Sequence, residues 1–262
     1  MFFINKLSSE QIICIFVYCL YGDLFIKDWQ RMEEAVEKCN CEGCELKSLF
    51  FSNIEASAIE RICRNKIEIP YKKGEIILKE GDEITNFIYL KSGIVKLHRN
   101  LSTKKDQIIN ITKLFDFISL FSVFSETHYN YSVSAIDDSV TCNIKLSEIR
   151  KIILENGKFA LDLIQKMSKN TDRIILQSLE LKQRNLNGRV AFILLYFAKD
   201  IYNNLVFDLP VSRKEIGEYI NMSTENVIRT FSEFRKDKII NIFGKTIEII
   251  DLKNLEQISL LG

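Results

Sequence analysis

Proline and glycine are scarce in this chain, with 2 and 10 among 262 residues. Long irregular loops should therefore be few. Histidine occurs only twice and tryptophan once. Acid–base chemistry would have to rest on carboxylates, and no carboxylate pair stands out by spacing. A Gly-rich phosphate loop, a Ser/His/Asp set and an H-E-x-x-H helix are all missing, which argues against the common enzyme classes. Excess charge of one sign is missing too: Lys+Arg is 36 and Asp+Glu is 35, a formal net charge of +1. Net charge alone points to no polyanionic partner. A long apolar run is also absent. The most apolar stretch is 12–20 (IICIFVYCL), extending weakly to Ile26 with Gly22 and Asp23 inside it. A spanning helix needs about 20 predominantly apolar residues, and no small-residue cleavage site follows Lys6. The expectation is a packed N-terminal extension with no membrane partner. The chain is then expected in the reducing cytoplasm, where structural disulfides are rare.

What is present is ordinary for a globular chain: 47% hydrophobic and 27% charged residues. The length suits one large domain or two small ones. Residues 1–66 read as helical, with Trp29, Met32 and Val36 near helical spacing and Asn53 as a cap before Ile54, Ala58, Ile59 and Ile62. Over 67–146 short β-branched and aromatic runs alternate with turn signals: IEIP, EIILKE, FIYL, IVKLHR, QIINITKLF, YSVSAI and VTCNIKL, with Gly74, Gly81 and Gly93 between some of them. That rhythm predicts an antiparallel sandwich or barrel and no βαβ units.

Helical spacing returns over 147–186. Leu161, Ile164, Ser168, Thr171, Ile175 and Ser178 follow a 3-4-3-4-3 pattern, a seam that suits either a core or the same helix of a second copy. The fold class is therefore α+β. Four regions are expected: an extension with grouped cysteines (1–50), a β-rich unit (51–150), a long helix (151–186) and a compact end unit (187–262).

The end unit carries the functional signal. In VSRKEIGEYINMSTENVIRTFSEFRKD (211–237), Ser212 and Glu215 make a capping box for a first helix, and Ile216 and Ile220 face inward. Asn221 and Met222 form a tight turn. Ser223 caps a second helix whose buried stripe is Val227, Phe231 and Phe234. The hairpin IINIF–GK–TIEIID follows. This pattern suits a helix-turn-helix whose second helix enters the DNA major groove. Glu225 can accept from a cytosine amino group, and Arg229 can bond guanine O6 and N7 in bidentate fashion. Glu225 can also brace Arg229, one turn away. Thr224, Asn226 and Ile228 share their side of the helix. Ser212, Arg213 and Ser223 are placed for backbone contacts, which position without specifying. A pair of surface helices with an i,i+4 salt bridge would show the same spacing. Acidic and basic residues balance over 189–262, but from 229 to 245 Arg229, Arg235, Lys236, Lys238 and Lys245 outnumber Glu233 and Asp237. A local patch matters more than the sum.

With these motifs in order, the chain from about Cys39 onward resembles the Crp/Fnr family of bacterial transcription regulators. The resemblance rests on KKGEIILKEGDEITNFIYLKSGIVKLH, the long helix after it, and SRKEIGEYINMSTENVIRTFSEFRKDKII with its hairpin. It implies a cyclic-nucleotide-binding-like β-roll (a jelly roll), a homodimer joined by the long helix and a winged helix-turn-helix. It also implies a pseudo-palindromic double-stranded DNA site and contact with RNA polymerase. Glu225 and Arg229 stand where the family places its base-reading pair. Cyclic-AMP-binding members carry a Gly-Glu pair and then Arg-Ser or Arg-Thr for the phosphate. Here the region is FDFISLFSVFSETHYNYSVSAIDDS, with no Gly-Glu and with Asn130-Tyr131-Ser132 near the arginine's place. Binding of cAMP in the usual way is not expected. Fnr-type sensors hold a [4Fe–4S] cluster with an N-terminal cysteine group and one late-strand cysteine; Cys39, Cys41, Cys44 and Cys142 resemble that set, in tighter spacing. A tetrahedral zinc site would use the same ligands, and reduced non-liganding thiols are the third alternative. Cys14, Cys19 and Cys63 read as bystanders, and His98 and His128 as structural or exposed. The expected function is DNA-binding transcription regulation and not catalysis; the alternative is a ligand-binding roll or an enzyme with a structural helical end.

Overall fold

Alternating burial along short strands builds the first half of the molecule. The computed structural model describes residues 54, 59, 60, 62, 66–100, 106–113 and 122–262. The expected helices before residue 54, and Cys14, Cys19, Cys39, Cys41, Cys44 and Cys63, lie outside the described residues. Seven strands follow: β1 (Ile67–Tyr71), β2 (Ile76–Leu78), β3 (Asn86–Ser92), β4 (Ile94–Asn100), β5 (Asp106–Lys113), β6 (Ser132–Ala135) and β7 (Ser139–Lys145). They form two antiparallel sheets, ordered β1-β7-β3 and β2-β6-β4-β5. Phe87, Tyr89, Leu90, Val95, Leu97, Val133 and Ile144 fill the core of this roll. The link from β3 to β4 is a single tight residue. Gly93 has φ +95°, and a Cβ there would lie 2.2 Å from Ser139 Oγ, so no other residue fits.

The sequence pattern predicts helix over 147–186, and the structure divides that stretch in two. Helix α1 (Leu146–Glu155) stops, and α2 (Gly157–Gln183) starts anew. Asn156 is extended (φ −137°, ψ 94°), and its side chain accepts from the Phe159 backbone N–H. That N-cap bond rewards a break which apolar periodicity alone does not reveal. Phe159 and Leu163, at the start of α2, pack on the roll. The seam residues Leu161, Ile164, Ser168, Thr171, Ile175 and Ser178 are all exposed in the single chain.

The last unit begins with α3 (Leu186–Tyr196), prolonged by a π-helical turn over Phe197–Tyr202. Then come β8 (Val206–Asp208), α4 (Arg213–Ile220), α5 (Thr224–Lys236), β9 (Ile240–Phe243), β10 (Thr246–Ile249) and α6 (Leu252–Leu261). The sheet order β8-β10-β9 adds a third strand to the expected hairpin. Helix α6 is not in the sequence reading, although Asp251 caps it and Leu252, Leu255 and Ile258 follow helical spacing. The two halves share one core. Ile94, Ile108, Ile111 and Ile136 of the roll pack with Val190, Phe197, Ile216 and Phe231 of the end unit. Tyr196 Oη donates to the Ile111 carbonyl at 2.6 Å, and Lys113 Nζ to the Ile201 carbonyl at 2.9 Å. Among the described residues, no helix is long and apolar enough to cross a membrane.

Candidate nucleic-acid interface

Two capped helices and the turn between them shape the interface. Ser212 Oγ accepts from the Glu215 N–H, and the Glu215 carboxylate accepts from the Ser212 N–H, a complete capping box. Asn221 ends α4 in the left-handed region (φ 54°), where asparagine is tolerated better than most residues. Gly217 faces this turn so closely that a Cβ would lie 2.7 Å from the Met222 carbonyl oxygen. Ser223 Oγ then accepts from the Asn226 N–H and opens α5. Helix α5 buries Val227, Thr230, Phe231 and Phe234. Thr230 was not legible as part of that stripe.

The opposite face of α5 meets solvent. Glu225 and Arg229 are exposed, Ile228 is 51% exposed, and Thr224 and Asn226 are half-buried. Arg229 Nε lies 3.8 Å from Glu233 Oε1, one turn further along. An exposed i,i+4 pair of this kind is weak, so the guanidinium can leave it for a base edge at little cost. Arg213 is turned across its own domain: its guanidinium sits 5.3 Å over the Phe231 ring and reaches the Gly244 carbonyl at 3.5 Å. That contact ties α4 to the tip of the β9–β10 wing. The basic patch is partly neutralised, since Lys245 Nζ lies 2.9 Å from Asp208 Oδ2. The Thr246 hydroxyl and then Lys245 hold the exposed Asp208 carboxyl below its ordinary range.

One contact joins this unit to the roll by charge. Lys96 Nζ of β4 donates to Glu215 Oε1 at 2.5 Å, while the other carboxylate oxygen serves the capping box. No local signal could have revealed a pair 119 positions apart. Partial burial pushes the Glu215 pKa up, but the bonds from Lys96 and Ser212 outweigh it and leave the carboxyl below its ordinary range. A depressed carboxyl stabilises the fold above its unfolded pKa, and that stability is lost as pH falls through the folded one. Lys96→Met should thus cost about 1 kcal/mol near neutral pH, allowing for solvent screening of this part-exposed pair. The deficit should fade as pH falls through the depressed pKa of the paired Glu215 carboxyl, below which the group is protonated in either variant. Denaturant titrations of both proteins across that pH range check this; a deficit independent of pH would show that the pair is not its cause.

The other expected sites fall in the roll. Cys142 is wholly buried on β7, opposite Glu68 of β1 and Tyr89 of β3. Among the described residues, no group of three or more His, Cys, Asp or Glu side chains could hold a metal ion. Ser132 Oγ accepts from the Glu80 N–H at 3.0 Å, Tyr131 is buried and Asn130 is exposed. His98 shares a hydrogen bond with Ser134 Oγ at 2.8 Å, a structural role.

Known proteins match both halves. A cyclic nucleotide-binding domain model matches residues 68–156, and a Crp-like helix-turn-helix domain model matches residues 188–258. The transcriptional activator protein Anr of Pseudomonas protegens is 24% identical over 225 residues, covering 83% of this chain and 91% of its own. The fumarate and nitrate reduction regulatory protein of Vibrio cholerae is 22% identical over 238 residues, covering 88% and 94%. Among solved structures, FixK2 from Bradyrhizobium japonicum superposes with a TM-score of 0.67 at 23% identity, covering 74% of this chain and 97% of that one. A CRP-family transcriptional regulator from Thermus thermophilus gives a TM-score of 0.63 at 17% identity, covering 72% and 95%. A roll of the cyclic-nucleotide-binding type, a long helix and a Crp-like helix-turn-helix follow one another in a single chain, which belongs to the Crp/Fnr family of DNA-binding transcription regulators.

Proposed function

We propose that this chain regulates transcription as a homodimer that reads a pseudo-palindromic duplex, with Glu225 and Arg229 contacting base edges in each half-site. The observation that carries this reading is α5 itself. One face is locked into the core by Val227, Phe231 and Phe234, while Glu225, Ile228 and Arg229 point away from it near the helix start. Thr224 and Asn226 can reach a neighbouring base edge or phosphate, and Ser212, Arg213 and Ser223 lie where the phosphate backbone would pass. RNA polymerase is the expected protein partner, in keeping with relatives that carry the name of transcriptional activators. The near-neutral charge implies weak non-specific affinity, so discrimination rests on few contacts. Selection of bound sequences from random duplexes tests this. A two-fold symmetric motif with half-sites about one helical turn apart is expected; absence of any enriched motif would overturn the reading.

The N-terminal half senses the effector. A thiol in apolar surroundings resists ionisation, so Cys142 suits a metal only with the cation bound beside it. A [4Fe–4S] cluster needs Cys39, Cys41 and Cys44 as well, and such a cluster would make DNA binding responsive to oxygen. Anaerobically purified protein should then hold about four iron atoms per protomer and lose them in Cys142→Ser. Iron-free, zinc-free wild-type protein would remove both metal readings. The Ser132 hydroxyl already accepts a backbone bond, and no arginine stands at Asn130-Tyr131-Ser132, so cAMP is not the proposed effector.

A further inference from the structure

The connection from the long helix to the DNA-binding unit is two residues long. Helix α2 ends at Gln183, and α3 begins at Leu186. Arg184 (φ −82°, ψ 145°) and Asn185 (φ −70°, ψ −178°) between them are both extended. Small torsional changes in so short a joint would swing the whole DNA-binding unit relative to α2. The joint is held from two sides: Arg184 Nε donates to the Ser259 carbonyl of α6 at 2.6 Å and the Asn185 N–H to the Gly262 carbonyl, and side chains of the first turn of α3 grip it as well.

Arg189 makes the widest span. Its Nε donates to the Arg184 carbonyl at 3.0 Å, on the joint itself. Its Nη1 reaches the carbonyls of Ile220 and Asn221, each at 3.4 Å, in the turn between α4 and α5. These carbonyls lie at the C-terminal end of α4, where a cation is favoured by the helix dipole. The planar guanidinium, with donors fixed in a fork, can serve both places at once; a lysine ammonium on one flexible stem cannot. A second strap lies beside it: the hydroxyl of buried Thr230, on α5, donates to Asn187 Oδ1 at 3.1 Å.

We infer that Arg189, seconded by Asn187, is a positioning residue that fixes the recognition helix against the long helix and so sets which half-site separation the dimer accepts. Neither residue is among those assigned to base or phosphate contact. The inference rests on the proposed DNA-reading dimer and adds to it the element that dictates spacing. One base pair changes the separation by about 3.4 Å and the mutual rotation by about 35°. A rigid dimer resists that change, whereas a dimer with a loosened joint absorbs it.

The test uses the full chain and a set of duplexes with the selected half-site at the best separation, and one or two base pairs longer or shorter. Wild type should bind the altered separations far more weakly, because simultaneous engagement of both half-sites is lost. Arg189→Met should shrink that difference by about tenfold or more, with Arg189→Lys between the two and the base preference within each half-site unchanged. Asn187→Ala alters an exposed side chain and should shrink the difference in the same direction, which keeps the test open if Arg189→Met fails to fold. Folded variants with the wild-type spacing profile would overturn the inference, as would altered base preference with unchanged spacing preference. If wild type itself bound no selected duplex, the DNA-reading assignment would fall first and the positioning role with it.

Discussion

Arg229→Ala is expected to abolish selective binding to the operator while leaving a folded dimer. The side chain is 62% exposed, and its ion pair in the free protein is the weak one to Glu233. Removing it disturbs neither the α5 core stripe nor the Ser223 cap. A bidentate arginine–guanine contact discriminates by about 1–3 kcal/mol, and a symmetric dimer makes two. The expected loss is therefore about 2–6 kcal/mol, roughly thirtyfold to more than ten-thousandfold in affinity. Non-specific affinity and its salt slope should change little, since that binding comes from phosphate contacts elsewhere. Titration of the selected duplex and of a scrambled duplex, by wild type and variant, separates the two. Equal affinity of both proteins for the selected duplex would remove Arg229 from the reading face. Glu225→Ala should act differently, relaxing preference at one base position with a smaller loss of affinity.

How far the sequence revealed this molecule depends on the range of the interaction. Both helix caps of the DNA-binding motif were legible, because Ser212, Glu215 and Ser223 act on backbone N–H groups within three residues. The strands were legible from β-branched runs between turn residues, and the tight link at Gly93 from its glycine. The break at Asn156 was missed because apolar spacing continues across it; the deciding bond is a single side-chain cap. The long-range contacts were not legible. Lys96 and Glu215 meet only when the roll and the end unit fold against each other, and Arg189 and Ile220, like Thr230 and Asn187, only when the helices of the end unit pack together. The candidate base-reading residues thus lie in a local pattern, whereas the side chains that orient them are distributed along the chain.

The exposed seam of α2 supports the second large expected effect. Buried residues on this 27-residue helix are Phe159 and Leu163. Leu161, Ile164 and Ile175 remain 54%, 57% and 50% exposed, and Leu176 and Leu179 beside them 57% and 50%. A contiguous apolar face of that length is costly in water and calls for a partner. The seam repeats every 3.5 residues on average, the period at which two copies wind into a left-handed pair with these positions interleaved. Ser168, Thr171 and Ser178 within it are small enough to let the two backbones approach. Ile164→Glu with Ile175→Glu should therefore yield monomers. Each isoleucine contributes about 1.5–3 kcal/mol when buried. The pair of helices carries two copies of each, and the substitution sets like charges opposite one another. The dissociation constant should rise by at least about a thousandfold, since four such burials amount to at least ~6 kcal/mol before imperfect packing is discounted. Sedimentation velocity should show the shift, and circular dichroism should show retained helix, because neither position packs on the roll. The monomer should bind a palindromic duplex no better than a single half-site, since the gain from linked engagement is gone. A variant that still sediments as a dimer would place the interface on another face, and the spacing of the two recognition helices would then have to be set by that face instead of by α2.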